Sequence, residues 1–320
     1  MFRAFFVSLS RATWAQKWIT RLPVARQAAA RFVAGETQAE ALQAVRQLNQ
    51  RGILATLDHL GESTTRASEA EQATAEVLSL LDAIQQAGVQ ANVSIKLSQI
   101  GLVVDPALCE ANLWKILEKA RDLGNFVRID MEDSSLTQRT LDLYLKALSS
   151  GFANHVGIVL QAYLYRTEAD LTRVLTAGGR VRLCKGAYKE PASLAFSRKA
   201  DVNLNYDQLT LQMLRHTLRH GTPQVSADGR IPPIPALATH DPQRIRFAVQ
   251  AVEELYLPKR AVEFQMLYGI RRDLQESLAA EGFPVRVYVP YGTHWYPYFM
   301  RRLGERPANL WFFLKNFFQH

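Results

Sequence analysis

From about residue 50 the chain repeats one unit eight times: a short apolar, β-branched run followed by a longer helix-like stretch. The strand candidates are 53–59, 92–97, 126–131, 156–161, 181–185, 234–239, 261–267 and 285–289. The helix candidates are 69–87, 107–122, 136–149, 168–177, 203–219, 241–256, 271–281 and 294–304. Alternation of this kind predicts a parallel sheet with helices outside it. Eight units predict closure into a (β/α)8 barrel rather than an open sheet. A doubly wound sheet would carry a G-x-G-x-x-G turn after its first strand. Here the first strand is followed by Leu60-Gly61-Glu62-Ser63.

The expected division is an N-terminal helical extension over 1–50 and a catalytic barrel over 51–320. The 320 residues are 48% hydrophobic, enough for one large core. Net charge is +8, but residues 1–34 carry six basic side chains (Arg3, Arg11, Lys17, Arg21, Arg26, Arg31) and no acidic one, so the remainder is nearly balanced. That distribution argues against nucleic acid as a partner of the body, where basic and aromatic side chains are not interleaved. For the extension two readings stand side by side. Phe2, Phe5, Phe6 and Leu9 form one apolar stripe, and Trp14, Trp18 and Leu22 another. With the positive charge, these stripes suit peripheral contact with an anionic bilayer. They suit packing on the barrel or self-association equally. Removal of 1–34 is expected to leave the barrel's chemistry largely in place while changing vesicle binding, solubility or oligomer size.

No run approaches the ~20 apolar residues of a spanning helix. Cys109 and Cys184 stand outside any C-x-x-C or C-x-H spacing, so no metal site is expected, and a reducing compartment fits.

Barrel enzymes carry their chemistry at the C-terminal ends of the strands. Polar residues recur there in strands two to eight: Lys96; Asp130, Glu132 and Asp133; Gln161; Arg182 and Lys185; Thr239, His240 and Asp241; Glu263 and Gln265; Tyr288. Any one could be a cap or a rim salt bridge, as Asp241 before Pro242 illustrates. Their recurrence points to a site. In the last helix, Tyr298, Arg301, Arg302 and Glu305 are spaced i, i+3, i+4, i+7 and share one face. Paired guanidinium groups can grip a carboxylate or phosphate.

These residues also carry a resemblance. Arg182-Leu183-Cys184-Lys185-Gly186-Ala187-Tyr188 resembles the R-L-x-K-G-A-Y motif of proline dehydrogenases, and Tyr298 to Glu305 resembles their Y-x-x-R-R-x-x-E helix. Further matches are Ser94 to Ser98, Arg128 to Glu132, Gln161-Ala162-Tyr163, Ala238-Thr239-His240 and Glu263 to Gly269, so the resemblance spans about residues 50–310. It implies the monofunctional bacterial form, without an aldehyde dehydrogenase half. The implied reaction is FAD-dependent oxidation of L-proline to Δ1-pyrroline-5-carboxylate, the first step of proline breakdown to glutamate. Electrons would pass to a membrane quinone. The implied setting is the cytoplasm, with peripheral contact at the inner face of the cell membrane through residues 1–34.

The resemblance also implies roles. Arg301, Arg302 and Lys96 would hold the proline carboxylate, and Leu267, Tyr288 and Tyr298 would box the ring. Asp130 and Arg182 would be catalytic, Asp130 holding the cations in place and Arg182 beside flavin N5. Met131, Gln161, Arg182, Lys185, Gly186, Ala187, Tyr188, Thr239, His240 and Glu305 would bind the cofactor. The chain departs from many relatives at Lys189, where they have an aromatic residue. A rival reading makes Lys185 a Schiff-base lysine of an aldolase. A second makes the basic and aromatic termini those of a nucleic-acid or membrane adaptor.

Overall fold

The computed structural model describes residues 18–20, 23–61 and 63–305. Eight parallel strands close into a barrel in sequence order: β1 (Leu54–His59), β2 (Ala91–Ile95), β3 (Val127–Ile129), β4 (Val156–Gln161), β5 (Arg180–Cys184), β6 (Pro235–Ala238), β7 (Glu263–Leu267) and β8 (Val285–Tyr291). The ring is shut by β1 against β8, from Leu54↔Arg286 to His59↔Tyr291. Before the barrel the described residues include the helices α1 (Pro23–Ala29) and α2 (Gln38–Asn49). The outer ring is α3 (Ala67–Ala87), α4 (Pro106–Asp122), α5 (Ser134–Ala147), α6 (Thr167–Thr176), α7 (Lys199–Arg219), α8 (Pro242–Glu254), α9 (Arg272–Ala280) and α10 (Trp295–Glu305). Each strand and outer helix overlaps its sequence candidate.

Local chemistry explains several helix starts. The carboxylates of Asp105, Asp133 and Asp241 accept from the backbone N–H of Ala107, Ser135 and Gln243 at 2.9, 2.9 and 3.0 Å. Pro106 and Pro242 follow two of these caps, where a missing N–H costs nothing.

The strands are buried on both faces, but the faces differ. Outward residues such as Leu57, Val93, Ile95, Ile129, Leu183, Phe264, Val285 and Val287 are apolar and join the main core under the helices. Barrels of this kind usually fill their interior with branched aliphatic side chains. This one holds Thr56, Ser94, Arg182, Glu263, Gln265 and Arg286, all buried. Arg182 on β5 bonds to residues of β2 and β7, and links between non-neighbouring strands must cross the lumen. Cys109 and Cys184 are free thiols that burial pushes up to about 12.

The N-terminal segment, where described, lies on the barrel. Ala25, Ala28, Phe32 and Val33 pack with Trp295, Phe299 and Leu303 of α10 in a second apolar cluster. Ala34 N donates to Pro290 O at 2.9 Å, and Gly292 N to Gly35 O at 3.0 Å. Gly269, with φ +71°, lets the chain pass so closely that a Cβ there would lie 1.7 Å from Arg31 O. Residues 25–34 therefore follow the barrel-packing reading. The stripes of residues 1–17, and the aromatic tail beyond 305, lie outside the described residues. Among the described residues no helix is long and apolar enough to cross a membrane.

Candidate active site

Five strands, β1, β2, β3, β5 and β8, bring charged and phenolic side chains together at the C-terminal mouth. Asp130, just past β3, accepts from Arg182 Nη1 of β5 at 2.8 Å and from the Tyr288 hydroxyl of β8 at 2.8 Å. Lys96, just past β2, stands 3.7 Å from Asp130 and donates to both carboxylate oxygens of Asp58 at 3.0 and 3.1 Å. Its ammonium is also 3.4 Å from the Tyr288 hydroxyl. The Arg182 guanidinium lies 5.4 Å from the Tyr288 ring centre.

Each group alters its neighbours. Burial would lower the Lys96 pKa, but Asp58 and Asp130 more than offset this and hold it above its ordinary value. Burial raises the Asp58 carboxyl, opposed by Lys96. Burial, with Asp130 and Asp58, holds the Tyr288 hydroxyl far above the usual phenol range. Tyr288 is therefore a proton donor to Asp130 at any physiological pH.

A second group surrounds the ends of β4 to β7. Lys185 Nζ donates to Asp241 and Asn203, both at 2.6 Å. Burial raises the Asp241 carboxyl, but this hydrogen bond and the ones beside it outweigh burial and hold it below its ordinary value. A paired ammonium is the opposite of the neutral, desolvated amine that Schiff-base chemistry needs, which removes the support for the aldolase reading. Thr239 Oγ1 accepts from Asp241 N at 3.1 Å, and His240 Nε2 accepts from Leu267 N at 2.9 Å. Gly186 has φ +119°, and the Tyr163 ring lies 2.2 Å from where a Cβ would sit. A side chain there would run into that ring, so only glycine allows this close packing. Gln161 joins the two groups. Its Nε2 donates to Glu132 O at 2.9 Å, and its Oε1 accepts from Ala187 N at 3.4 Å. Met131 is buried beside them.

The last helix closes the mouth. Tyr298 is buried, and the Arg302 guanidinium lies 5.1 Å from its ring centre. Arg301 is exposed. Tyr188 is 39% exposed, and desolvation, aided by Glu132 and opposed by Lys96 and Arg301, pushes its hydroxyl up to about 12. Leu267 packs against the α10 cluster. The side chain of Glu305 lies outside the described residues.

Sequence reading left out Asp58, although strand one was the one strand given no polar end. Its two-residue alternation from Leu54 through Thr56 was the available signal. It also gave no role to Ser98, which locks Glu132 through Oγ at 2.5 Å and N at 3.1 Å.

A family model described as proline dehydrogenase matches residues 41–314. Proline dehydrogenase 2 of Bacillus subtilis is 39% identical over 313 residues, covering 98% of this chain and 97% of its own length. The proline dehydrogenase of Deinococcus radiodurans is 42% identical over 284 residues, covering 88% of this chain and 87% of its own. Proline utilization A from Bdellovibrio bacteriovorus, in a crystal structure inactivated by N-propargylglycine, superposes with a TM-score of 0.78 at 24% identity, covering 87% of this chain and 32% of that one. That superposition shows the shared barrel. A closed eight-stranded barrel, with its charged cluster at the strand ends and full-length relatives near 40% identity, leaves one assignment: the chain belongs to the proline dehydrogenase family.

Proposed function

We propose that the chain oxidises L-proline to Δ1-pyrroline-5-carboxylate with a noncovalently held FAD, and that the electrons leave to a quinone-type acceptor. The observation that carries the reading is the Lys96–Asp130–Arg182–Tyr288 cluster, built from four strands at one end of the barrel. The residues present suit a flavin. Arg182 uses one N–H on each terminal nitrogen for Asp130 and Ser94, at 2.8 and 3.1 Å, and carries a second on each. When bound, FAD supplies the hydride acceptor.

The remaining work falls to the protein. Lys96, Arg301 and Arg302 form the cationic side that takes a carboxylate, and Leu267, Tyr288 and Tyr298 bound the apolar space for the ring. Asp130 holds Arg182 and Tyr288 so that the guanidinium faces developing negative charge with no reorganisation. Gln161 and Met131 line the ring site, Lys185 to Tyr188 the ribityl region, and Thr239 and His240 the phosphates. The substrate loses a hydride from the carbon beside the ring nitrogen and a proton from that nitrogen.

An absorption spectrum of the purified protein, before and after anaerobic proline, tests the reading. A flavin band that bleaches is expected. A colourless protein that gains no proline oxidation with added FAD refutes it.

The carboxylate role has its own test. Arg302→Met is expected to weaken proline binding by about 2–5 kcal/mol, the cost of truncating one side of a desolvated charge pair. Arg302→Lys recovers part of that, because a point charge does not reproduce the planar fork. Titration of the holoenzyme decides. Wild-type affinity in both Arg301→Met and Arg302→Met would remove the carboxylate site from α10.

A further inference from the structure

Below Arg182, a column of side chains runs down the barrel lumen that none of the roles above uses. At its base Arg286 and Glu263 form a bidentate pair, Nε to Oε1 at 2.9 Å and Nη2 to Oε2 at 2.9 Å. Both are fully buried. Arg286 is anchored from beneath, donating to Ala55 O at 2.8 Å and Gly229 O at 2.6 Å. Glu263 Oε1 also accepts from Gln265 Nε2 at 2.5 Å. Gln265 Oε1 in turn accepts from Arg182 Nε.

The order of these groups has a chemical consequence. A carboxylate can only accept and a guanidinium can only donate. Gln265 stands between one of each, so its amide has one tolerable orientation. Turned over, it would set N–H against N–H and oxygen against oxygen, losing both bonds in a dry interior where unpaired polar groups are costly. Glu263 thus dictates that a carbonyl oxygen faces Arg182. The third partner, Ser94 Oγ at 3.1 Å, completes a three-sided seat with Asp130.

The choice of an amide at 265 matters as much as its direction. Arg182 already pairs with Asp130 at 2.8 Å, and a carboxylate at 265 would set a second negative charge against it. The carboxylate is instead one step lower, where Arg286 neutralises it. The column fixes the guanidinium without adding to the negative charge that Asp130 already sets beside it.

We infer that Gln265 and Glu263 are positioning residues for Arg182, which orient its guanidinium toward the cofactor without setting a second carboxylate against it. The inference rests on the flavin reading of the site, and the wild-type spectrum separates the two. A wild type without flavin ends that reading, whereas a flavin-loaded wild type lets the column be tested.

The test uses the holoenzyme and two variants. Gln265→Leu removes the seat. Its limiting rate of flavin reduction by proline is expected to fall about 10- to 100-fold, the worth of a buried hydrogen bond to a charged group, with little change in proline affinity. The exchange E263Q/Q265E keeps the column linked from end to end. The amide placed at 263 accepts from the Arg286 guanidinium through its oxygen and donates through its nitrogen to the carboxylate placed at 265. The fully buried Arg286 loses its carboxylate partner and one bond of the bidentate pair, so the exchange variant is expected to melt below the wild type. It is expected to show a lowered flavin midpoint potential, because a second carboxylate now faces Arg182 beside Asp130. Should Gln265→Leu not fold, the exchange variant carries the test by itself. Wild-type potential in the exchange variant, or a wild-type reduction rate in a folded Gln265→Leu, would make the column mere filling and overturn the inference.

Discussion

Asp130→Ala is expected to reduce the rate of flavin reduction by proline about 10²- to 10³-fold in a protein that still binds flavin. Asp130 accepts from Arg182 and Tyr288, both at 2.8 Å, and faces Lys96 at 3.7 Å. Without it, Lys96 keeps its pair with Asp58, but Arg182 loses its carboxylate partner. Breaking a buried pair by removing one partner costs about 3–5 kcal/mol, because the charge left behind is uncompensated. Only misplacement of Arg182 and Tyr288 within the site reaches the reaction barrier, where about 1.4 kcal/mol is one decade. The outer core under the helices is untouched, so thermal melting should show a cooperative transition at lowered temperature. Asp130→Asn should lie between. Its carbonyl can still accept from Arg182, but its NH2 then opposes either the Tyr288 hydroxyl or Lys96. Anaerobic stopped-flow across a proline titration measures the effect. A wild-type limiting rate in Asp130→Ala would show that the cluster is structural.

Phe32→Ala is expected to weaken proline binding, although Phe32 is far in sequence from every clamp residue. Phe32 is 1% exposed, and its ring centre lies 6.3 Å from that of Phe299 on α10. Emptying such a site typically costs about 3–5 kcal/mol. Here the loss falls on one contact, the seat of α10 on residues 25–33. The same helix carries Tyr298, Arg301 and Arg302, so loosening it spreads the positions of the two guanidinium groups. A small displacement of a binding group is enough to matter. The expected result is a proline KM raised about tenfold or more with flavin content retained, alongside a lower melting temperature. Trp295→Phe should act in the same direction but less, since its main loss is the indole N–H bond to Glu36 at 3.1 Å. A Phe32→Ala protein that melts early but binds proline as the wild type does would reduce residues 25–33 to a structural cover. The same packing revises what truncation should do. Removing 1–34 would strip α10 of its seat, rather than leave the barrel's chemistry in place.

The barrel was legible because its signals are local. Strand runs, helix periods and caps such as Asp105-Pro106 and Asp241-Pro242 each act within a few residues. Strand-end chemistry was legible for the same reason once the fold class was in hand. It placed Lys96, Asp130, Arg182 and Tyr288 at one mouth, where the structure brings them together. The helical spacing of Tyr298, Arg301 and Arg302 was right as periodicity, but it did not distinguish the buried ring of Tyr298 from the exposed side chain of Arg301.

By itself, then, the amino-acid order determined the number, order and type of the elements and the set of polar residues at their ends. Those follow from backbone period and short-range hydrogen bonding. Only the closed ring decided which of those residues are partners. Closure sets β1 beside β8 and turns alternate side chains into one shared lumen. Lys96 meets Asp58 across 38 residues, and Tyr288 meets Asp130 across 158. Glu263, Gln265 and Arg286 likewise read as ordinary strand polar residues until the lumen stacks them beneath Arg182. Such pairings leave no spacing to read. They exist because a barrel interior excludes water, and each buried charge must find its counterpart across the lumen.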